Sequence, residues 1–233
     1  MKTIVIGDIH DKTVWKDIIE KEDDFDKVIF LGDYFDTFEE VSTLDQIFNF
    51  KEICNFKRDN PNKVILLLGN HDYHYMRGID EFYSGFNAFA KVDIGEVLFE
   101  NKDITQIVHV KDKFLFVHAG VGITWAKIKN INIDSDKIEQ SINDLFVNKP
   151  KEFKFDGIES SGNSITQGPL WIRPQSLIGQ MPNDLIQVVG HTKVKELSID
   201  YIEKTNMILC DTFDNIDKQY LVIEDEILTP KFI

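Results

Sequence analysis

The chain is short of several things, and each shortage excludes a class of protein. It has two cysteines, Cys54 and Cys210, in 233 residues. That is too few for a disulfide-framed secreted scaffold, and they are not spaced as a thiolate metal knot; both are expected as buried thiols. Arginine is scarcer still than lysine: Arg58, Arg77 and Arg173 are the full set. Lys plus Arg number 26 against 40 Asp plus Glu, a formal net charge of −14. Phosphate-backbone affinity comes mainly from basic side chains, so neither bulk nucleic acid nor an anionic membrane surface is an expected partner. No apolar run approaches the ~20 residues that span a bilayer. The first apolar run ends at Gly7-Asp8 and is too short for a secretion signal. A cytoplasmic protein is the expectation.

What is present supports a packed core. Apolar residues make up 42% and aromatics 12%, well above a disordered composition. One domain over 1–233 is expected from the length and from the lack of repeats or a linker. Thr3–Ile6, Val28–Leu31 and Val64–Leu68 read as buried strands. Residues 12–21 and Thr43–Arg58 read as helices between them, the second capped by Ser42. Such β-α-β-α-β order points to parallel strands with helical crossovers. Further on, Ile79–Ala90 reads as a helix. Val97–Glu100, Ile104–Val110 and Lys113–His118 read as strands. Residues 122–147 read as mostly helical and 149–182 as loop. Leu185–Gly190, Glu196–Ile199, Met207–Asp211, Tyr220–Glu224 and Glu226–Thr229 read as a strand-rich tail. The fold class expected is α/β: a two-sheet βαβ sandwich flanked by helices.

Five polar motifs follow apolar strands: Gly7-Asp8-Ile9-His10, Gly32-Asp33-Tyr34-Phe35-Asp36, Gly69-Asn70-His71-Asp72, His118-Ala119-Gly120 and Gly190-His191-Thr192. Any one would pass as a turn. Together they carry four of the six histidines to strand C-terminal ends, where α/β sheets bind ligands. Carboxylates and imidazoles without thiolates suit Mn²⁺ first, with Fe and Zn²⁺ as alternatives and Mg²⁺ less suited. Asp8 and His10, two apart in extended chain, share a face. Asp33 is placed to bridge two ions, with Asn70, His118 and His191 completing a second site. Two such ions clamp a phosphate and activate a bridging hydroxide for in-line attack.

The ordered set GDIH, GDYFD, GNHD, HAG and GHT resembles the calcineurin-like metallophosphoesterase superfamily, from Gly7 to Thr192. The resemblance implies a dimetal site at the strand ends. It assigns Asp8, His10 and Asp33 to one ion and Asp33, Asn70, His118 and His191 to the other. It makes His71 the acid that protonates the leaving oxygen and Asp36 the carboxylate that orients it. Chemistry asks for the same pair: an alkoxide leaving group needs a proton, and a carboxylate fixes the imidazole tautomer. Asp72 is expected to bond a metal-binding histidine. Gly190-His191-Thr192-Lys193 lacks the G-H-x-H of nuclease-like members. It looks closer to the phosphoprotein phosphatase and symmetrical diadenosine-tetraphosphatase branch, bacterial or phage type. Gly168-Pro169-Leu170-Trp171-Ile172-Arg173 resembles a segment of that branch in which an Arg meets substrate phosphate. The Arg that many phosphoprotein phosphatases carry after the second motif is missing, since Thr37 follows Asp36. Arg173 and Arg77 are therefore the candidate phosphate contacts.

The leading expectation is a metal-dependent phosphomonoesterase using a metal-bridging hydroxide and His71. Its substrate would be a phosphorylated small molecule, nucleotide or phosphopeptide. The alternatives are a dinucleoside-polyphosphate hydrolase, a phosphodiesterase or nuclease, and a non-catalytic binding module. Tyr34 and Phe35 are expected to divide between core and pocket wall. Trp171 is expected to anchor its loop, Arg58 to sit as a solvated charge at a helix end, and His109 to be structural. His74 reads equally as a contact beside the site or a surface histidine. The oligomeric state is not encoded in any motif.

Overall fold

In the computed structural model the described residues are 1–22, 24–37, 39–156, 162–182, 184–199 and 206–233. Residues 157–161 of the long loop lie outside them. Three parallel strands form the centre: β1 (Lys2–Ile6), β2 (Lys27–Phe30) and β3 (Val64–Leu67). Helix α1 (Trp15–Lys21) and helix α2 (Thr43–Asp59) make the two crossovers. The Ser42 side chain accepts the Asp45 backbone N–H at 3.1 Å, so the expected cap is present. A four-residue helix α3 (Asn70–Tyr73) begins directly after β3, followed by α4 (Lys91–Glu100). Next come β4 (Thr105–Gln106), β5 (Val108–Lys111) and β6 (Phe114–Val117), then α5 (Ile123–Ile128), α6 (Ile138–Asn148) and α7 (Pro174–Leu177). Strands β7 (Ile186–Lys193), β8 (Met207–Asp211), β9 (Gln219–Glu224) and β10 (Ile227–Phe232) end the chain. Among the described residues one sheet runs β10-β9-β1-β2-β3-β4 and the other β5-β6-β7-β8.

The two-residue alternation of side chains makes this a layered sandwich. Val5, Ile29 and Leu67 of the first sheet share one apolar cluster with Phe114, Phe116, Val188 and Ile208 of the second. The sheets therefore face each other through these residues. The alternate positions, Ile4, Ile6, Val28, Phe30 and Leu66, face outward and pack with helix residues such as Trp15, Phe50 and Ile53. Each such buried side chain contributes roughly 1.5–3 kcal/mol. Both faces being covered explains why these strands read as continuous apolar runs. The expected α/β two-sheet sandwich with flanking helices is the observed architecture. No helix among the described residues is long and apolar enough to cross a membrane.

Several sequence-based boundaries are corrected. Val97–Glu100 is the end of α4, not a strand: Ile94, Val97 and Leu98 are buried at helical spacing, a stripe that a four-residue window truncates. Ile79–Ala90 forms turns instead of a helix. Gly78 and Gly85, at φ +79° and +86°, stop helical propagation there. Ile104–Val110 divides between the end of a 3₁₀ turn, β4 and β5, and 122–147 holds two separate helices, α5 and α6. Glu196–Ile199 is not a strand; the Leu197 N–H donates to the Gln219 side chain at 2.8 Å. Strand β7 runs through the fifth motif rather than ending before it. Its register against β8 shifts between Val189 and Lys193, a bulge that re-aims Gly190 and His191.

Candidate metal centre and active site

Four parallel-sheet strands and one bulge deliver the polar motifs to one edge. Asp8 and His10 follow β1, Asp33 and Asp36 follow β2, Asn70 and His71 open α3 after β3, His118 follows β6, and His191 sits on the β7 bulge. Four of these residues hold left-handed backbones: His10 at φ +40°, Asp33 at +52°, Asp36 at +62° and His191 at +61°. Such conformations are sparsely populated outside glycine, and Asp, Asn and His enter them most readily. Asp8, His10, Asp33, Asp36, Asn70, His118 and His191 are all buried, and the His71 side chain is 12% exposed.

The histidine tautomers can be worked out from backbone carbonyls. His10 Nδ1 lies 2.9 Å from the Phe35 carbonyl and His118 Nδ1 lies 2.9 Å from the Leu31 carbonyl. Each Nδ1 must donate, which leaves each Nε2 as a lone-pair acceptor. His191 has the opposite arrangement: its Nε2 donates to the Trp171 carbonyl at 3.2 Å, leaving Nδ1. Burial disfavours the charged form of all three rings and lowers their pKa. The His118 Nε2 acceptor then faces other acceptors, Asn70 Oδ1 at 2.9 Å and Asp33 Oδ2 at 3.4 Å. His10 Nε2 lies 3.8 Å from the same Asp33 oxygen. Lone pairs converging with no proton between them fit a cation. The ligand atoms form two groups, Asp8–His10–Asp33 and Asp33–His118–His191, each with its atoms within 4.8 Å of one another and sharing Asp33. Without a cation the carboxylates strain each other. Burial and then the charges of Asp211 and Asp33 push Asp8 well above the ordinary range. Asp33 stays below it, because His118, His71 and His10 outweigh its burial.

Both ligand groups depend on close backbone approach. Asp8 accepts the His191 N–H through Oδ1 at 3.1 Å and Oδ2 at 3.0 Å. This contact exists only because Gly190 has no side chain: a Cβ there would overlap Asp8 Oδ1. Gly190→Ala should therefore displace the Asp8 carboxylate and raise the Mn²⁺ concentration for half-maximal hydrolysis by about 10- to 100-fold. Manganese titration of p-nitrophenyl phosphate hydrolysis measures this, and an unchanged midpoint would contradict the packing argument. Asp72 has a different job from the one expected. Its carboxylate accepts backbone N–H groups of Gly69 at 2.8 Å, Asp33 at 2.9 Å and Tyr34 at 2.7 Å, and no histidine. It ties the β2 and β3 loops together, so that the His71 N–H reaches Asp33 Oδ1 at 2.8 Å.

Beside the ligand groups, His71 Nδ1 lies 2.8 Å from Asp36 Oδ2. Burial would raise Asp36, but the contacts from His71 and His74 reverse this and hold it at about 2. Burial would lower His71, but Asp33 and Asp36 outweigh it and its pKa is raised. A cavity of about 710 Å³ opens over Asp8, His10, Asp33, Asn70, His71 and His191. Arg173 enters it, with Nη1 donating to the His191 carbonyl at 2.8 Å and Thr192 Oγ1 at 3.1 Å.

Of the residues singled out from sequence, eight converge as one constellation, with Arg173 at its edge. Arg77 does not join them. It pairs with Glu96 and lies 3.9 Å over the Phe99 ring, outside the cavity lining. Arg58 is not simply solvated; it donates to buried Asn101 at 2.6 Å. Tyr34 and Phe35 are both fully buried against Phe50, so neither is a pocket wall. His109 pairs with Glu139 at 2.9 Å, as a structural residue would. Trp171 anchors its loop and also lines the cavity, with Tyr83 at 4.0 Å and Phe155 at 5.2 Å between ring centroids. The aromatic wall of Phe82, Tyr83 and Phe155 was missed, because its loops carry no periodicity that announces it. The paired glycines around Phe82 and Tyr83 were the available signal.

A family model described as calcineurin-like phosphoesterase matches residues 1–203. Among solved structures, the cold-active protein-tyrosine phosphatase of a psychrophilic Shewanella species aligns over 99% of this chain and 80% of its own, at TM-score 0.63 and 16% identity. A protein serine/threonine phosphatase of Saccharomyces cerevisiae, similar to human phosphatase PP5, aligns over 100% and 79%, at TM-score 0.55 and 13% identity. A putative diadenosine tetraphosphatase aligns over 99% and 93%, at TM-score 0.52 and 14% identity. At such identities these likenesses establish the fold. No curated protein matches by sequence. The family match covers most of the chain and takes in every motif that meets at the sheet edge; the chain belongs to the calcineurin-like phosphoesterases and is a metal-binding phosphoric ester hydrolase.

Proposed function

We propose that the chain hydrolyses phosphomonoesters with two divalent ions, Mn²⁺ foremost. The observation that carries this is the convergence of acceptor atoms from Asp33, His118 and Asn70 beside a His71–Asp36 pair. Asp8, His10 and Asp33 would hold one ion, and Asp33, Asn70, His118 and His191 the other. The ions supply positive charge for the phosphate and an activated water. Arg173, held at the cavity wall by the His191 carbonyl and Thr192, is the guanidinium positioned to meet the non-bridging oxygens. His71 gives Nδ1 to Asp36, so Nε2 is the nitrogen left to protonate the leaving oxygen. Lys193, where nuclease-like relatives have a histidine, pairs with Asp214 instead of completing a ligand group.

The aromatic wall supports a second reading, a substrate whose ring lies beside the phosphate, as in a dinucleoside polyphosphate. One screen with Mn²⁺ separates the readings: p-nitrophenyl phosphate, bis-p-nitrophenyl phosphate, phosphopeptides and diadenosine tetraphosphate. Phosphate release from the monoesters without ADP from the dinucleotide is expected. ADP release as the dominant reaction would favour the second reading, and preference for the diester would overturn both.

A further inference from the structure

Asp211 is a buried acid that the chemistry described so far does not use. It is the last residue of β8, opposite Lys193 in the register with β7, and its carbonyl accepts the Val194 N–H at 2.9 Å. This pairing resumes the ladder just beyond the bulge that carries His191. The end of β8 comes so near the first motif because Gly7 has no side chain: a Cβ there would overlap the Cys210 carbonyl oxygen.

Asp211 lines the same cavity as Asp8, Asp33 and His191. Among the described residues its carboxylate accepts no hydrogen bond and joins no ion pair. Lys12 and Lys193, the cations that act on it, are ion-paired with Asp214. A buried carboxylate without a donor is unfavourable unless a cation balances it. Asp211 belongs to neither ligand group, so its place is beside the ligands and not among them. Of the charges around Asp8, that of Asp211 raises it most, ahead of Asp33. A charge that repels a carboxylate attracts a cation bound to that carboxylate.

We propose that Asp211 is a fixed negative charge on the cavity wall that raises the affinity of the Asp8–His10–Asp33 group for a divalent ion without joining its ligands. The inference rests on the reading of the site as a two-ion centre. It makes a separate claim about that centre: the first ion is held partly by a residue outside every motif that announces the site.

The test is calorimetric titration of the full chain, dialysed against chelator, with Mn²⁺ alone and no substrate. The wild-type chain is expected to bind two ions. Asp211→Asn keeps the size of the side chain and removes its charge; one of the two affinities should fall about 10- to 100-fold, and the other by less than about threefold. Asp211→Glu restores the charge in a different shape and should recover most of the loss. Asp211→Ser, also neutral, is expected to behave as the amide does and decides the matter if the amide protein does not fold. Added to His118→Asn, which leaves the first group intact, Asp211→Asn should show its full effect; added to His10→Asn, which breaks that group, it should show little. Unchanged affinities, equal losses at both ions, or an amide near wild type with an impaired glutamate would overturn the inference. So would unchanged Mn²⁺ affinity with a raised KM confined to phosphoesters that carry an ammonium group, which would make Asp211 a substrate contact. A wild-type chain that binds two ions and an Asp211→Asn chain that matches it remove only the role of Asp211. A wild-type chain that binds fewer than two removes the two-ion reading and this inference with it.

Discussion

Replacing Asp33 with Asn is expected to lower Mn²⁺-dependent hydrolysis by on the order of 10³-fold or more and to lower metal content per chain. Asp33 is the residue common to both ligand groups, and one oxygen, Oδ2, lies 3.8 Å from His10 Nε2 and 3.4 Å from His118 Nε2. An amide keeps the shape but removes the negative charge from the centre of both. The backbone should tolerate the change, since Asn accepts a left-handed φ about as readily as Asp, and its Oδ1 can still accept the His71 N–H. Circular dichroism should therefore show a folded protein. Metal analysis after dialysis, with turnover measured in parallel, is the check. A folded Asp33→Asn protein with wild-type metal content and rate would refute the shared-ligand arrangement.

The second large effect is expected at His71, and its size should depend on the substrate. Removing a general acid costs typically 10²–10⁴-fold where the leaving group needs a proton. His71→Asn should approach that range on an alkyl phosphate and fall well short of it on p-nitrophenyl phosphate. The reason is geometric: Nδ1 is committed to Asp36, so the ring has one nitrogen for the cavity, and asparagine cannot carry a proton to that place. A plot of log kcat against leaving-group pKa should steepen in the variant. Parallel lines for the two proteins would mean that His71 assists in some other way than by giving a proton.

The candidate metal-binding edge was legible because apolar strands ending in Gly-Asp or Gly-Asn are hard to explain as core. Position along the chain was enough to group Asp8, Asp33, Asn70, His118 and His191, which lie up to 183 residues apart in sequence and meet at one edge. Local pattern failed where tertiary contact decides. Val97–Glu100 has strand-forming residues, but the stripe it completes begins at Ile94. The turns of 79–90 depend on Tyr75, whose hydroxyl takes the Asn87 N–H, a contact no local window contains. Arg77 was a candidate by its scarcity and its place after the third motif, and Glu96 and Phe99 claim it. His74 read equally as a contact beside the site or a surface histidine, because Asp36, the acid it lies against, is 38 residues earlier.

The left-handed backbones at His10, Asp33, Asp36 and His191 restrict what can ever replace them. Glutamate and cysteine can coordinate metals, yet they settle poorly into that conformation, and β-branched side chains worse. Asp, Asn and His are the non-glycine residues enriched there, and at His10, Asp33 and His191 they also carry oxygen and nitrogen donors of the kind a divalent ion would take. Folding and coordination thus select from one short alphabet. Random substitution at these positions can exchange donors within it, and a library restricted to it would explore metal preference without unmaking the turns.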